Sequence, residues 1–329
     1  MASKMFRLIQ LILFTVALAA CALAQTPAQD QGKAKKPAKT EAKAAQAAVQ
    51  STRPTDANLY AGTDTCVTCH DEIAKTHEKG PHWKTQLTGN NGPAYQGCEG
   101  CHGPGKAHAE AGGDTSKIIS YKNLTKVEST RICLDCHRQN EEHANFQRSQ
   151  HAKNDVGCVD CHSVHKPQVQ AALLKASQPQ MCYGCHQNVK PDFSKPFHHR
   201  VNEGLMGCTN CHSAHGTNQI RQVRASAGND QVCYGCHTDK QGPFVFNHAP
   251  VKAEGCATCH TPHGSVNPRL LTRSNVNQLC MECHTDVATG TNSAPFLPSL
   301  HNQSGPRQAC TSCHAAVHGS NSDRTLFKY

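Results

Sequence analysis

Hydrophobic residues are concentrated in one place along this chain, close to its start. Leu8 to Ala20 form an apolar run of thirteen residues that only Gln10 and Thr15 interrupt, and a short basic segment precedes it. The run is too short for a stable membrane helix, which needs about 20 apolar residues, and it fits the hydrophobic region of a secretory signal. We therefore predict that residues 1–24 are an export signal.

Two processing routes stay open for this signal. Ala22-Leu23-Ala24 suits ordinary signal peptidase, whereas Leu18-Ala19-Ala20-Cys21 suits a bacterial lipobox that would lipidate Cys21. Residues 25–57 are rich in Ala, Lys, Gln and Pro and lack apolar periodicity, so they predict a flexible linker. No later stretch has the length of a membrane helix, so we expect the mature protein to be water-soluble unless a lipid anchors it.

Beyond the linker, the chain has no run of alternating polar and apolar residues that would predict strands. Gly and Pro recur, as at Gly103-Pro104-Gly105 and Pro262-His263-Gly264, and indicate frequent turns. Leu, Ile, Val and Phe number 52 of 329 residues, which is below the usual content of a packed core. We expect short helices and turns, with either extensive disorder or an apolar interior supplied by something other than side chains.

The cysteines decide between these two alternatives. The chain has 21 cysteines and 23 histidines, and Cys-x-x-Cys-His occurs ten times, leaving Cys21 as the one remaining cysteine. Two thiols at this spacing can form thioethers with the two vinyl groups of one haem, and the following His can bind the iron as its proximal ligand. The motifs predict ten covalently attached haem c groups that fill the interior of a multihaem cytochrome c. The predicted attachment residues are Cys66, Cys69, Cys98, Cys101, Cys133, Cys136, Cys158, Cys161, Cys182, Cys185, Cys208, Cys211, Cys233, Cys236, Cys256, Cys259, Cys280, Cys283, Cys310 and Cys313. The predicted proximal ligands are His70, His102, His137, His162, His186, His212, His237, His260, His284 and His314.

Zinc ribbons and disulfides also use closely spaced cysteines. A zinc site pairs two Cys-x-x-Cys half-motifs but does not require a His after every second Cys. A disulfide framework suits an exported protein, yet it gives no reason for ten such histidines. The pattern therefore favours haem over both.

The ten motifs alternate between two kinds. The second kind has a His on each side, as His151 and His165 flank the motif that begins at Cys158, whereas the first kind lacks such a pair. Motifs of one kind recur at about fifty residues: Cys133, Cys182 and Cys233 are separated by 49 and 51 residues. This period predicts five two-haem units in an array built along one direction.

The flanking histidines are the candidate distal ligands. Because the two axial ligands of an iron lie on opposite faces of the porphyrin, His165, three residues after His162, is expected to reach a neighbouring haem. We expect ten low-spin haems of low potential, each with two His ligands. The predicted distal ligands are His82, His108, His151, His165, His199, His215, His248, His263, His301 and His318. His77, His143 and His198 stay unassigned, and Met181, Met206 and Met281 are axial alternatives.

The net charge and the regularity of the motifs limit the classes of function that fit this chain. The formal charge of +9 does not indicate a nucleic-acid partner, because no basic stripe is interleaved with aromatic residues. Multihaem enzymes need an open coordination position or an altered motif, whereas all ten motifs here are regular and the histidines suffice for every iron. We interpret the chain as an electron-transfer protein without catalytic residues; a multihaem reductase and a soluble periplasmic shuttle remain alternatives.

Around these motifs, over about residues 58–321, the sequence resembles the decahaem periplasmic cytochromes of the MtrA and DmsE type. The most specific segments are His248-Ala249-Pro250-Val251, residues 256–267 and residues 310–321. The resemblance implies a thin, elongated molecule made of two pentahaem halves, which would be residues 58–198 and 199–329.

The resemblance also implies a place in the cell. Such a protein lies in the periplasm, associated with the outer membrane, and inserts into a β-barrel porin. It would carry electrons from a periplasmic or inner-membrane cytochrome to an extracellular multihaem cytochrome or terminal reductase. A polar, irregular chain cannot face lipid, so it would cross a membrane only inside such a sheath. The lipobox and the linker leave the manner of membrane attachment open.

Overall fold

Short helices and turns make up the regular structure. The computed structural model describes residues 53–87, 91–224, 230–285 and 309–327, all of which belong to one unit spanning residues 49–329. The predicted export signal, almost all of the linker, Cys21 and His301 lie outside the described residues. No helix in the described part of the chain has the length and apolarity needed to cross a membrane.

The α-helices are mostly one or two turns long. The longest, α5, has twelve residues and is stabilised at its start by a capping box, in which Thr125 accepts a hydrogen bond from the backbone of Glu128 and the Glu128 side chain accepts one in return. The α-helices are α1 (Thr63–Val67), α2 (Asp71–His77), α3 (Glu99–His102), α4 (Lys106–Glu110), α5 (Lys126–His137), α6 (Gln150–Lys153), α7 (Cys158–Cys161), α8 (Gln180–Tyr183), α9 (Gln231–Tyr234), α10 (Ala249–Ala253) and α11 (Val276–Met281).

Short 3₁₀ helices connect these α-helices. They span Ala57–Leu59, Pro81–Gln86, Pro93–Tyr95, Thr115–Lys117, Phe146–Arg148, Gln170–Ala172, Gln187–Val189, Asp192–Ser194, Cys208–Asn210, Ile220–Gln222, Thr238–Lys240, Cys256–Thr258, Pro268–Leu270 and Cys310–Ser312.

Four two-residue strands join segments that are distant in sequence. They are β1 (Phe197–His198), β2 (Phe246–Asn247), β3 (Gly264–Ser265) and β4 (Gly319–Ser320). β1 pairs antiparallel with β3, placing Phe197 opposite Ser265, and β2 pairs antiparallel with β4, placing Phe246 opposite Ser320. Each pair connects the segment before one motif of the second kind with the segment after the next such motif, about fifty residues along.

Apolar side chains do not form a continuous core in the described part of the chain. The buried apolar residues there are scattered: Ala74, Ala94, Leu134, Phe146, Leu173, Phe193, Val201 and Tyr234. Several large apolar residues are instead exposed, including Ile220 at 86% and Leu205 at 78%. A chain that buries so little apolar area against itself needs another source of stability, as its composition predicts.

Candidate haem-binding sites

Each motif folds as a single helical turn. The backbone N–H of the motif His donates to the carbonyl of the first Cys four residues earlier, as in His70 to Cys66 at 2.9 Å and His186 to Cys182 at 2.8 Å. Residues three and four apart share one face of a helix. The turn therefore presents both sulfurs and the imidazole on one side, which is what attachment to a single haem requires.

The cysteines are placed where a flat cofactor could reach them. All twenty that the structure describes are half-buried or exposed, and none of these forms a disulfide, although cysteine is ordinarily among the most buried residue types. Among the described residues, a cluster of three or more metal-ligating groups occurs at Asp230, Cys233 and Cys256 alone. A structural zinc site needs four ligands from Cys and His, so the geometry favours neither the zinc nor the disulfide alternative.

The motifs come together in consecutive pairs, which we call units 1 to 5. In unit 1, a hydrogen bond between the thiols of Cys66 and Cys98 raises the pKa of Cys66 and lowers that of Cys98. The first cysteines of the other units meet in the same way: Cys133 with Cys158, Cys182 with Cys208, Cys233 with Cys256, and Cys280 with Cys310. This contact places the attachment edges of the two haem sites of a unit side by side.

In units 1, 2, 4 and 5, a polar side chain just before the first motif accepts a hydrogen bond from the backbone of the second motif. In unit 2, Thr130 Oγ1 accepts a hydrogen bond from the backbone N–H of Cys158 at 3.3 Å, and Thr63 does the same for Cys98 in unit 1 at 3.4 Å. Asp230 Oδ2 accepts from Cys256 at 3.0 Å and Asn277 Oδ1 from Cys310 at 2.8 Å. These residues stand three positions before the first Cys of their unit; we call them the bridging residues.

Unit 3 departs from this arrangement because Pro179 occupies the bridging position. The neighbouring Gln178 takes over, accepting a hydrogen bond from the backbone N–H of Thr209 at 3.2 Å. A side chain beside the first motif therefore still binds the backbone of the second motif, although it comes from the position before Pro179. Sequence reasoning missed the bridging residues, since a polar side chain a few positions before a motif has many ordinary uses.

The histidines form pairs whose spacing suits an iron between two imidazoles. A metal–nitrogen bond of about 2.0 Å on each side places two axial imidazole centres about 6 Å apart. Nine predicted proximal histidines each lie at this separation from a different predicted distal histidine. The ring-centre distances are 6.4 Å for His70–His108, 6.1 Å for His102–His165, 5.9 Å for His137–His82, 6.0 Å for His162–His215, 6.0 Å for His186–His151, 6.0 Å for His212–His263, 6.3 Å for His237–His199, 6.2 Å for His260–His318 and 6.3 Å for His284–His248.

These pairs follow one rule along the chain. The His before the second motif of a unit faces the first-motif His of the next unit, as His151 of unit 2 faces His186 of unit 3. In return, the His after the second motif of that next unit faces the second-motif His of the unit before it, as His215 faces His162. Each junction between units therefore has two reciprocal His pairs. Unit 1 differs because His108 pairs with His70 of the same unit.

Backbone carbonyls orient the second-motif histidines. The Nδ1–H of His162 donates to the carbonyl of Ala172 at 2.7 Å, which leaves Nε2 for a metal. Metal-ligating histidines commonly use their other nitrogen in this way. The same bond joins His102 to Ile119, His212 to Arg221, His260 to Arg269 and His314 to Thr325.

In four units, a residue with a left-handed φ directly follows the residue whose carbonyl accepts this bond. Leu173 has a φ of 52° and directly follows Ala172, and Gln222, Leu270 and Leu326 occupy the same place after the other acceptors, with φ of 52°, 61° and 63°. Non-glycine residues avoid this region, and where they adopt it the surrounding structure usually imposes the strain at a functional site. No sequence signal predicts this feature, because none of these residues is Gly or Asn.

Burial lowers the pKa of four histidines that follow second motifs. Burial, assisted by nearby imidazoles, lowers the pKa of His165 and of His215 to about 4. Burial also lowers the pKa of His263 and of His318. A neutral imidazole keeps the lone pair that binds a metal. The buried Nδ1 atoms of His82, His143 and His165 have no hydrogen-bond partner among the described residues.

Three histidines that the sequence leaves unassigned lie apart from the pairing rule. His77 is buried with its ring centre 5.9 Å from that of His165. His143 lies 5.5 Å from His137 and 4.5 Å from His215. His198 donates from one nitrogen to the Lys195 carbonyl and pairs with Glu203 through the other at 2.8 Å.

Known proteins share these features. Residues 151–191, 198–242 and 248–289 each match the family "Doubled CXXCH motif", and residues 106–163 match "Cytochrome c554 and c-prime". The chain is 30% identical over 268 residues to the multihaem cytochrome MtrA of Shewanella baltica, covering 79% of each protein. It is 26% identical to the cytochrome c-type protein NrfB of Escherichia coli, over 44% of this chain and 81% of that protein. It is also 26% identical to the C-type polyheme cytochrome OmcC of Geobacter sulfurreducens, over 73% of this chain and 31% of that protein. The motifs thus bind haem c, and the chain belongs to the MtrA-type multihaem c-type cytochromes, which carry electrons.

Proposed function

We propose that the chain holds ten covalently attached haems, each between two histidines, and conducts electrons along them. The observation that carries this proposal is the set of nine His pairs, in which nine different irons would each receive one proximal and one distal imidazole. The tenth proximal ligand, His314, is left with His301, which lies outside the described residues. Every predicted distal ligand is thereby used once.

The residues of the chain favour conduction over catalysis. Bound haem supplies a one-electron ferric–ferrous couple. Two histidines would hold each iron, which would leave a substrate no coordination site at which to react. The bridging residues and the reciprocal His pairs hold neighbouring sites close, within a unit and between units. These are the requirements of a carrier that passes single electrons from site to site.

We propose that the carrier works across the outer membrane, inside a β-barrel porin. Electrons would enter from a periplasmic or inner-membrane cytochrome and leave to an extracellular multihaem cytochrome or terminal reductase. The resemblance to the MtrA and DmsE cytochromes supports this assignment. An elongated molecule of two pentahaem halves, residues 58–198 and 199–329, would suit such a path. A soluble periplasmic shuttle is the alternative.

Two measurements test the cofactor content and the ligation. The mass of the purified protein, unfolded without reductant, should equal that of the processed chain plus ten haems. The oxidised protein should be fully low-spin, and its reduced form should bind no carbon monoxide. A substantial high-spin signal with stoichiometric carbon monoxide binding would instead favour a multihaem enzyme.

A third measurement tests the path. The protein should copurify with an outer-membrane porin and, together with it, reduce an acceptor enclosed in liposomes when electrons are supplied outside. Strict solubility and no transfer into the liposomes would favour the shuttle.

A further inference from the structure

Unit 4 differs from the other units in the charge of its bridging residue. The bridge is made by the hydroxyl of Thr63 in unit 1, the hydroxyl of Thr130 in unit 2 and the amide of Asn277 in unit 5. Gln178 gives unit 3 an amide as well. Asp230 makes the same kind of contact in unit 4 with a carboxylate.

The Asp230 carboxylate lies beside both attachment edges of its unit. One of its oxygens and the sulfurs of Cys233 and Cys256 all lie within 4.8 Å of one another. The residue is partly buried. Its carboxylate accepts hydrogen bonds from the uncharged backbone N–H of Cys256 and from the Cys256 thiol, which becomes a thioether when haem is attached. Within the described residues, no Lys or Arg forms a salt bridge with Asp230.

We propose that Asp230 sets the reduction potentials of the two haems attached at Cys233–Cys236 and Cys256–Cys259. The inference rests on the proposed haem content. Reduction adds an electron to each centre, so a fixed negative charge beside both attachment edges disfavours the reduced form of both. Asp230 thus acts as a positioning residue through its hydrogen bond and as a potential-setting residue through its charge. Unit 4 becomes harder to reduce than the same unit with a neutral bridge.

A single substitution separates these two roles. Asp230→Asn removes the charge but keeps an oxygen that can accept from Cys256, as Asn277 does from Cys310 in unit 5. We expect the equilibrium constant for reduction of two haems to rise about threefold to tenfold, or about 30 to 60 mV for a one-electron couple. The other eight haems should titrate as before, and thermal stability should change little.

The experiment is a spectropotentiometric titration of the purified holoprotein, with haem content measured by mass on the same sample. The reciprocal variant Asn277→Asp should move two haems the opposite way, which tests the idea even if Asp230→Asn folds poorly. Glu141→Gln removes an exposed carboxylate in unit 2 and should leave the titration unchanged.

The possible outcomes test the role of Asp230 separately from the proposed haem content. Variants that retain ten haems but titrate like the wild type would overturn the role of Asp230 and leave the proposed function intact. Wild-type protein without covalent haem would overturn both. A shift of equal size in Glu141→Gln would show a general charge effect and would also overturn the assignment to Asp230.

Discussion

The substitution His263→Ala tests how one unit completes the coordination of another. His263 belongs to unit 4, and its ring centre lies 6.0 Å from that of His212 in unit 3 and 5.0 Å from that of Phe193. No other described histidine has a ring contact with His263, so no second imidazole is in place to substitute for it. The change should leave the iron bound by His212 with a single protein ligand.

The expected size of the effect follows from the pairing. In the proposed ligation each iron has its own two histidines, so one of the ten proposed haems should become high-spin, and about a tenth of the low-spin signal should be lost. Strands β1 and β3 still join the same two units, at Phe197–Ser265 and His198–Gly264. The free energy of unfolding should therefore fall by only about 1–3 kcal/mol, as for loss of one buried contact.

Electron paramagnetic resonance of the oxidised variant and carbon monoxide titration of the reduced variant measure the outcome. We expect one carbon monoxide bound per chain, against none for the wild type. The matched control is His198→Ala, which removes a histidine that pairs with Glu203 instead of a motif histidine and should leave all ten haems low-spin. A fully low-spin His263→Ala protein, or high-spin signals from several haems, would refute the one-to-one pairing between units.

Three further outcomes are expected. Thr130→Val should lower the free energy of unfolding of the holoprotein in denaturant titrations by about 1–2 kcal/mol, since it leaves a backbone N–H without its acceptor, whereas Thr130→Ser should be close to wild type. Glu99→Gln should cost about 1–3 kcal/mol in the same assay, because the buried carboxylate accepts three backbone N–H groups, whereas Glu72→Gln, which loses one exposed ion pair, should change stability by less than about 0.5 kcal/mol. His77→Ala and His143→Ala should each retain ten low-spin haems by electron paramagnetic resonance; a high-spin signal from His143→Ala would mean that His143, and not His82, completes the site of His137.

The sequence predicts where haems attach better than it predicts which histidine serves which haem. Spacing alone shows that a motif such as Cys158–His162 can attach one haem, because the covalent chemistry fixes the residue types and their separation. The same reasoning predicts that His165 serves a neighbouring site, and the structure places its ring centre 6.1 Å from that of His102. The sequence does not show which neighbouring site His165 serves, because that depends on how the units pack. Packing has no local signature in a chain with few apolar residues.

Other features stay hidden for physical reasons. Asp230 and Thr130 look like ordinary polar residues just before a motif, and each contacts a second motif more than twenty residues away. Leu173 has no sequence mark of a left-handed conformation, because the surrounding structure, and not its own preference, holds it there. On spacing alone, His77 and His82 are equal candidates for one distal ligand. The structure places His82, and not His77, beside the motif histidine His137.

The reciprocal exchange of histidines between units has a consequence for how such proteins change length. In the proposed ligation, an internal unit gives one imidazole to each neighbour and receives one from each, so its two irons would be supplied whatever the number of units. Duplicating an internal segment of about fifty residues would add two centres without depriving any existing one of a ligand. Under this proposal, gene duplication lengthens the conductor in steps of two haems.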